Sequence, residues 1–359
     1  MRFNKKYLIF SLLLITCVLI HWYGTDTKRV ELNYSLHFYP AFSQFLRCIL
    51  GFFSFSLGDI FYGLFFCWLV WKIGKWIYSL FHPVQNKKSF INSFANFLLM
   101  LMILYLIFNV FWGLNYNRKG IAYQTQIEMN KYTPEDLKLM NELLVEKVNA
   151  SKINASKEYK ESIGVSSIFK EAINSYDKAC DSFSYLKYNH PAVKSSMWGW
   201  LGNYLGYTGY YNPFTGEAQV NTTIPLTTQP FIVCHEIAHQ LGYAKESEAN
   251  FAAYLVTRQS EKEYFKYAGY LEMFFYANRN LYEYDSLSAI YYRELLSMDV
   301  KKDIKQIIDF NKAHKNPIEP FITIMYDWFL RSNQQPQGMM SYNQVTAFLI
   351  GYYRKFGCL

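Results

Sequence analysis

Two histidines and a glutamate in a His-Glu-x-x-His pattern are the residues of this chain best suited to chemistry. His235 and His239 are four residues apart, so on a helix their side chains lie on one face and both rings can reach one metal ion. Glu236 follows His235 directly, which puts its carboxylate beside the position of a metal-bound water. The pattern is typical of zinc hydrolases. We therefore expect one Zn²⁺ ion on His235 and His239, and Glu236 as the catalytic base.

A catalytic zinc site needs a third protein ligand and leaves its fourth position to water. Gly242, three residues after His239, predicts a left-handed turn that ends the histidine helix. Glu246 opens the next helical run, and Asn250 follows one turn later, where its amide can orient a ligand. We expect Glu246 to be the third ligand and Asn250 to support it. Glu248 is the alternative ligand.

At these residues the chain resembles the gluzincin-type zinc metallopeptidases, in which two histidines of HExxH and a glutamate from a following helix bind the ion. Several such families write the glutamate segment as ExxAD or ExxAN, so the resemblance favours Glu246 and implies a zincin-like catalytic domain. Only six residues separate His239 from Glu246, fewer than in most gluzincins. The metzincin pattern HExxHxxGxxH fits less well, because Lys245 stands where its third histidine would be.

Nearly the full length of the chain, including GYYNPFTGEAQVNTTIP ahead of the histidines, is similar to an uncharacterised bacterial membrane family known only as domain of unknown function 3810. This resemblance brings no established activity. The function therefore has to be inferred from the residues themselves.

The segment just ahead of the motif predicts a hairpin. Residues 212–216 form a turn between two short extended runs, of which the second covers 217–223. In the resembling peptidases, a strand ahead of the HExxH helix is an edge strand that binds the substrate backbone beside the zinc. A peptide substrate could thus add to Ala218, Gln219, Val220 and Asn221 by strand augmentation. A plain structural hairpin is an equally good interpretation.

The N-terminal part of the chain predicts membrane crossings. Hydrophobic residues make up 51% of the chain and aromatic residues 19%, more than in ordinary soluble proteins. Three stretches, at about 7–23, 59–77 and 94–112, are long enough to cross a bilayer, and their Trp and Tyr residues cluster at the ends. Segment 39–57 carries Arg47 within an apolar run, so we expect an interfacial helix there rather than a fourth crossing.

Basic residues are distributed unequally between the two sides of this arrangement. One side carries Arg2, Lys5, Lys6, Lys72, Lys75, Lys87 and Lys88, and the other carries Lys28, Arg29, Arg47, Arg118 and Lys119. This bias of seven to five puts the N terminus in the cytoplasm. We expect a multi-pass protein of the inner (cytoplasmic) membrane with an extracytoplasmic catalytic domain.

Residues 115–359 are enough for one domain with its own core. Thr133 followed by Pro134 and two acids predicts a helix start, and most of the later chain has helical spacing. The expected fold is α+β and mainly helical: a membrane region, 1–114, followed by a zincin-like domain with a small sheet. The net charge of +8 needs no nucleic acid as a partner, since no nucleic-acid-binding module is visible and anionic lipid accounts for it.

These features predict a membrane-anchored zinc metallopeptidase that acts on a peptide or protein substrate near the bilayer. The alternative is a catalytically silent, zinc-binding membrane sensor or interaction protein. Glu236 favours catalysis, because a purely structural site gains nothing from a base beside the metal. An intramembrane protease is disfavoured, because charged residues, Lys245 among them, follow the short apolar run at once.

Overall fold

The computed structural model describes residues 5–81, 87–129, 131–159, 163–333, 335 and 342–359. The fold is mainly helical with a small three-stranded sheet, as the sequence predicts. The helices are α1 (Lys5–Gly24), α2 (Thr27–Arg29), α3 (Tyr39–Leu50), α4 (Leu57–Phe81), α5 (Lys87–Phe111), α6 (Gly120–Thr125), α7 (Pro134–Glu158), α8 (Val165–Ser182), α9 (Gly199–Leu205), α10 (Gln229–Gln240), α11 (Glu246–Thr257), α12 (Glu263–Tyr284), α13 (Ser286–Glu294), α14 (Met298–Ala313), α15 (Glu319–Ser332) and α16 (Tyr342–Phe356). The strands are β1 (Val193–Ser195), β2 (Gly209–Asn212) and β3 (Glu217–Val220).

Three helices contain segments that are long and apolar enough to cross a membrane. These segments are Lys6–Gly24 in α1, Leu57–Lys75 in α4 and Phe94–Phe111 in α5, and they agree with the three predicted crossings. Few of their side chains are buried within the folded chain. Their apolar surfaces are therefore available to lipid.

The chain between the first two spans folds as a π-helical segment, Val30–Phe38, followed by α3. Together with α2 they form a continuous helical stretch from Thr27 to Leu50, which is not among the three candidate spans. Tyr39, Ser43 and Arg47 recur every four residues and are buried, whereas Phe45 is exposed. α3 is thus an amphipathic helix with its polar face on the protein, and the interfacial position of this segment stays a prediction.

β3 is the central strand of the sheet, whose order is β1-β3-β2. It pairs in parallel with β1 and antiparallel with β2. This corrects the prediction of an edge strand at Ala218, Gln219, Val220 and Asn221: both sides of β3 are already paired within the protein, so a peptide cannot add there. β1 has only three residues and no apolar alternation that would have revealed it in the sequence.

Side chains of β3 alternate between two helices, because successive residues of a strand point to opposite faces. Val220 packs in the main apolar core with residues of α10, and the buried Ala218, two residues earlier, lies on the same face of the strand. Gln219 faces the start of α4, where its amide donates a hydrogen bond to Ser56 Oγ at 3.0 Å. The sheet therefore lies between the histidine helix and the second candidate span.

Two buried charges join the sheet to the start of α4. Glu217 accepts hydrogen bonds from the backbone N–H groups of Leu57 at 3.2 Å and Gly58 at 2.6 Å. Lys194 of β1 forms an ion pair with Glu217 and donates to the carbonyl oxygen of Phe55 at 3.1 Å. A carboxylate at a helix N-terminus is favoured by the helix dipole. We call Lys194, Glu217 and the first turn of α4 the sheet–span cluster.

The largest apolar core lies between α7, α8, α10, α11, α12 and α16. α7 begins as predicted, with Thr133 and Asp136 in a reciprocal capping box. Nearly every residue of α10 and α11 is buried. The core includes the phenylalanines Phe231, Phe251, Phe265, Phe274 and Phe348. The two helices that carry the predicted ligands are thus held firmly in place from several sides.

Candidate metal site

A tight turn folds α11 back beside α10. Gly242 has a φ of 88°, in the left-handed region, and the N–H of Tyr243 bonds to the carbonyl oxygen of Ala238 at 3.2 Å. This arrangement is the helix cap that the sequence predicts at Gly242. A Cβ at this position would also lie 2.9 Å from the ring of Tyr39, so the turn needs glycine for space as well as for conformation.

The turn brings His235, His239 and Glu246 together. Nε2 of His235 lies 3.2 Å from Oε2 of Glu246, and Nε2 of His239 lies 3.6 Å from Oε1. Ligand atoms of a tetrahedral zinc site with bonds near 2.0–2.1 Å are about 3.3 Å apart. Among the residues that the structure describes, these three side chains form a group that could hold a metal ion, with ligand atoms all within 4.8 Å of one another.

The charges in this group favour a cation between the three side chains. Burial acts to raise the pKa of Glu246, but the neighbouring imidazoles, His239 foremost, hold it well below its usual range. Burial acts to lower the pKa of His239, yet the Glu246 carboxylate raises it to about 9. The ionised carboxylate therefore draws positive charge into the site, which a proton or a metal ion can provide.

The hydrogen bond of His239 sets which of its nitrogens is free. Nδ1 lies 2.7 Å from the carbonyl oxygen of Tyr243, which can only accept, so Nδ1 carries the hydrogen. In the neutral ring, Nε2 then keeps its lone pair and faces Glu246. Nδ1 of His235 is buried and finds no hydrogen-bond partner in the described part of the chain. The donor set of two imidazoles and one carboxylate fits zinc.

Glu236 is 3% exposed and lies on α10 against β2. A Cβ added to Gly209 would stand 2.6 Å from Oε1 of Glu236, so glycine leaves the room that this carboxyl group occupies. Burial raises the pKa of Glu236 to about 7; Glu246 adds to this rise, and the two histidines oppose it. A carboxyl group with a pKa near neutrality is suited to general acid–base chemistry.

The alternative ligand, Glu248, points away from the histidines. It lies against Gly120, where a Cβ would collide with its carboxylate, and Nζ of Lys245 is 3.7 Å away. The structure thus brings Glu246, and not Glu248, to the histidines. Asn250 is buried one turn after Glu246 on α11.

Tyr326 of α15 is a residue of the site that the sequence did not reveal. Its hydroxyl donates a hydrogen bond of 2.7 Å to Oε1 of Glu246, the oxygen on the side of His239. The side chain of Gln335 accepts a hydrogen bond from the Glu246 N–H at 3.3 Å. Tyr326 is one of 32 tyrosines, and no spacing to the histidines marks it. It takes the orienting position that the sequence had suggested for Asn250.

The end of α10 is held by residues that come from the membrane region. Trp112, directly after α5, donates from Nε1 to the carbonyl oxygen of His239 at 3.3 Å, and the two rings are 6.0 Å apart. Tyr39 and Arg47 of α3 donate to the carbonyl oxygen of Gln240 at 2.9 and 3.3 Å. The candidate site therefore lies beside the end of a candidate membrane span.

A family model described as "Protein of unknown function (DUF3810)" matches residues 34–350. The matched range includes all residues of the candidate site. No curated protein and no solved structure matches the chain. The function has to be argued from the geometry of the site.

Proposed function

This chain belongs to the DUF3810 family, and we propose that it is a membrane-anchored zinc metallopeptidase. The observation that carries the proposal is the convergence of His235, His239 and Glu246 on one point beside the buried Glu236. Two neutral imidazoles and a carboxylate are a common zinc ligand set in hydrolases, and the adjacent glutamate supplies the base.

The reaction requires a positioned base next to the ion. When bound, zinc supplies a Lewis acid that polarises the scissile carbonyl and acidifies water. His235 and His239 would hold the ion through Nε2, and Tyr326 holds the Glu246 carboxylate in its orientation. Glu236 accepts a proton from the attacking water at a carboxylate oxygen and donates it to the leaving amine. Its pKa of about 7 suits both transfers.

A peptide substrate fits the outer side of β2 rather than β3. The N–H of Asn221 bonds to the carbonyl oxygen of Thr208, so by the antiparallel alternation Tyr210 and Asn212 also direct their backbone groups to β3. The N–H and C=O groups of Gly209 and Tyr211 therefore point away from β3. Gly209 is the residue packed against Glu236, which would bring a paired peptide to the base.

The membrane anchor restricts where the substrate can be. The site lies beside the end of α5, so we propose a peptide or protein substrate close to the bilayer surface. The bias in basic residues supports an inner-membrane protein with the catalytic domain outside the cytoplasm.

Zinc content of the purified full-length chain tests the ligand set. Glu246→Gln should lower zinc well below one equivalent, because the amide is a weak ligand. Glu248→Gln is the matched control, since it makes the same change two residues later on α11 and should leave zinc bound. Zinc kept by Glu246→Gln and lost by Glu248→Gln would show that the ligand assignment is wrong.

Cleavage of a peptide library by the same preparations tests catalysis. Glu236→Gln should keep zinc and lose activity by about 10²–10⁴-fold, the usual contribution of a general base. Glu294→Gln, in an exposed carboxylate on α13, is the control and should cleave normally. Normal cleavage by Glu236→Gln would rule out the assigned base. A native chain that binds zinc but cleaves nothing would instead favour the silent membrane sensor.

A further inference from the structure

One face of α15 is apolar and exposed over two turns, from Phe321 to Trp328. Phe321, Ile324, Met325 and Trp328 are 63%, 67%, 55% and 72% exposed. Their spacing of three, four and seven residues places them on one side of the helix. The opposite side carries Leu330, which is buried, and Tyr326, which reaches the candidate site. The orientation of α15 on the protein thus turns its apolar face outward.

Exposed aromatic residues around α9 extend this face. α9 packs against α15, and the amide of Asn316, ahead of α15, donates to the carbonyl oxygen of Tyr204 at 2.6 Å. The large exposed side chains here are Met197, Trp198, Trp200 and Tyr204. We call these four residues, together with Phe321, Ile324, Met325 and Trp328, the apolar platform.

The apolar platform joins the candidate membrane spans at two points. Phe329, next to Trp328 on α15, packs against Phe108 of α5 with ring centroids 6.5 Å apart. Trp198 donates from Nε1 to the carbonyl oxygen of Asp59, in the first turn of α4, at 3.3 Å. The exposed surface therefore continues from the lipid-facing sides of α4 and α5 onto the C-terminal part of the chain.

A contiguous apolar surface of this kind marks an interaction site, and its continuity with the spans identifies the partner. Tryptophan and tyrosine are enriched where a protein meets the headgroup region, and an amphipathic helix can lie in that plane with its apolar face in the acyl boundary. We propose that the apolar platform lies at the boundary between headgroups and acyl chains of the same lipid bilayer that the three spans cross. α15 is then an in-plane membrane helix.

This placement goes beyond the proposed function and does not depend on zinc. It also gives the bilayer a direct connection to the site. The outward face of α15 lies in lipid while Tyr326, on its inward face, holds Glu246. Lipid contact thus stabilises the helix that orients this carboxylate.

Photo-crosslinking of the full-length chain in lipid nanodiscs tests the proposal. A benzophenone amino acid replaces Phe321, Ile324 or Trp328, one at a time. Leu287 and Met298 are the controls, because they are 79% and 69% exposed on α13 and α14 and lie outside the platform. All five positions are exposed, so the replacements leave the core unchanged, and thermal unfolding of each variant checks this.

Platform positions should give several-fold more lipid adduct than the control positions, measured by mass spectrometry. Adducts to a second copy of the chain at the platform positions would assign the surface to a protein interface and overturn the proposal. Lipid adducts no more frequent than at Leu287 and Met298 would overturn it as well, since the platform would then face water. The readout is the same whether or not the chain binds zinc, so it is separate from the test of the proposed function.

Discussion

Glu236 keeps Oε2 buried without a hydrogen-bond partner among the described residues. Leaving a buried carboxyl oxygen unsatisfied costs stability, and such groups concentrate where chemistry requires them. Gly209 supports the same interpretation, because it has no side chain at the point where the Glu236 carboxyl group needs space. Both features are expected of a base kept ready for a substrate and serve no evident purpose in a purely structural metal site.

Tyr326→Phe tests how Glu246, the proposed third ligand, is oriented. The substitution removes the hydroxyl that bonds to Oε1 of Glu246 and keeps the ring. Loss of a partner that orients a metal ligand typically weakens binding about 10–100-fold, so we expect a loss in that range in zinc affinity. Competition with a chelator of known affinity measures it.

Tyr291→Phe is the matched control for this substitution. Tyr291 is 59% exposed on α13, outside the candidate site, and its loss of a hydroxyl should leave zinc affinity unchanged. Equal affinities for native protein and Tyr326→Phe would mean that Glu246 needs no support from α15.

The residues of the site differ in how far the sequence could reveal them. His235, Glu236 and His239 could be recognised because the proposed ligands and base lie within about one helical turn, where spacing alone determines geometry. For the proposed third ligand, the sequence leaves two candidates, Glu246 and Glu248. Tyr326 could not be found, because it lies 80 residues from Glu246 and reaches it only through the packing of α15.

At the level of elements, the turn between α10 and α11 determines whether the candidate ligands meet. Gly242→Ala should destabilise the full-length protein in two ways: backbone strain of about 1–2 kcal/mol from the left-handed conformation, and a clash of the new Cβ with Tyr39. Thermal unfolding measures the stability, and zinc affinity should fall with it because His239 lies at this helix end.

Gly206→Ala separates the two effects. Gly206 also ends a helix, with a φ of 77°, but a Cβ there meets nothing within 4 Å. Gly206→Ala should therefore lower the stability only by the backbone strain and leave zinc binding unchanged. If Gly242→Ala is no more harmful than Gly206→Ala, the packing of Tyr39 against the turn is unimportant.

The sequence predicts where helices begin and spans lie better than it predicts which elements pack against one another. Apolar stretches and the capping residues of α7 depend on nearby residues, so the spans and the helix start could be predicted. The central position of β3 could not, because it depends on β1, whose three residues come from 22–27 positions earlier in the chain and pair with β3 in parallel. The outward face of α15 was equally hidden, since it depends on what the helix packs against.

On the scale of the whole molecule, buried contacts cross the predicted boundary at residue 114. Arg118 and Glu31 form a buried ion pair of 3.1 Å, and Trp112 and Tyr39 cap the helix of the histidines. The membrane region is thus part of the packing around the candidate site and more than a tether.

Lys194→Met tests this coupling at the sheet–span cluster. The substitution leaves the Glu217 carboxylate buried without its cation, which should cost about 3–5 kcal/mol and lower the unfolding temperature in nanodiscs. Lys138→Met is the control, because its ion pair with Asp285 is largely accessible to solvent, with side chains 40% and 32% exposed, and should contribute little. Equal unfolding temperatures for the two variants would show that the cluster does not hold the sheet to the span.

The sheet–span cluster also has a consequence for how the protein is made. The buried Glu217 carboxylate reaches its backbone partners only when the beginning of the second hydrophobic segment is in place beside it, so we expect this part of the fold to be completed after insertion into lipid. A newly synthesised chain that has not yet reached its membrane carries both histidines and the glutamate, but lacks the contact of α4 with the sheet that packs on the histidine helix. Under the proposed function, the peptidase would therefore stay silent during delivery and start only at its destination.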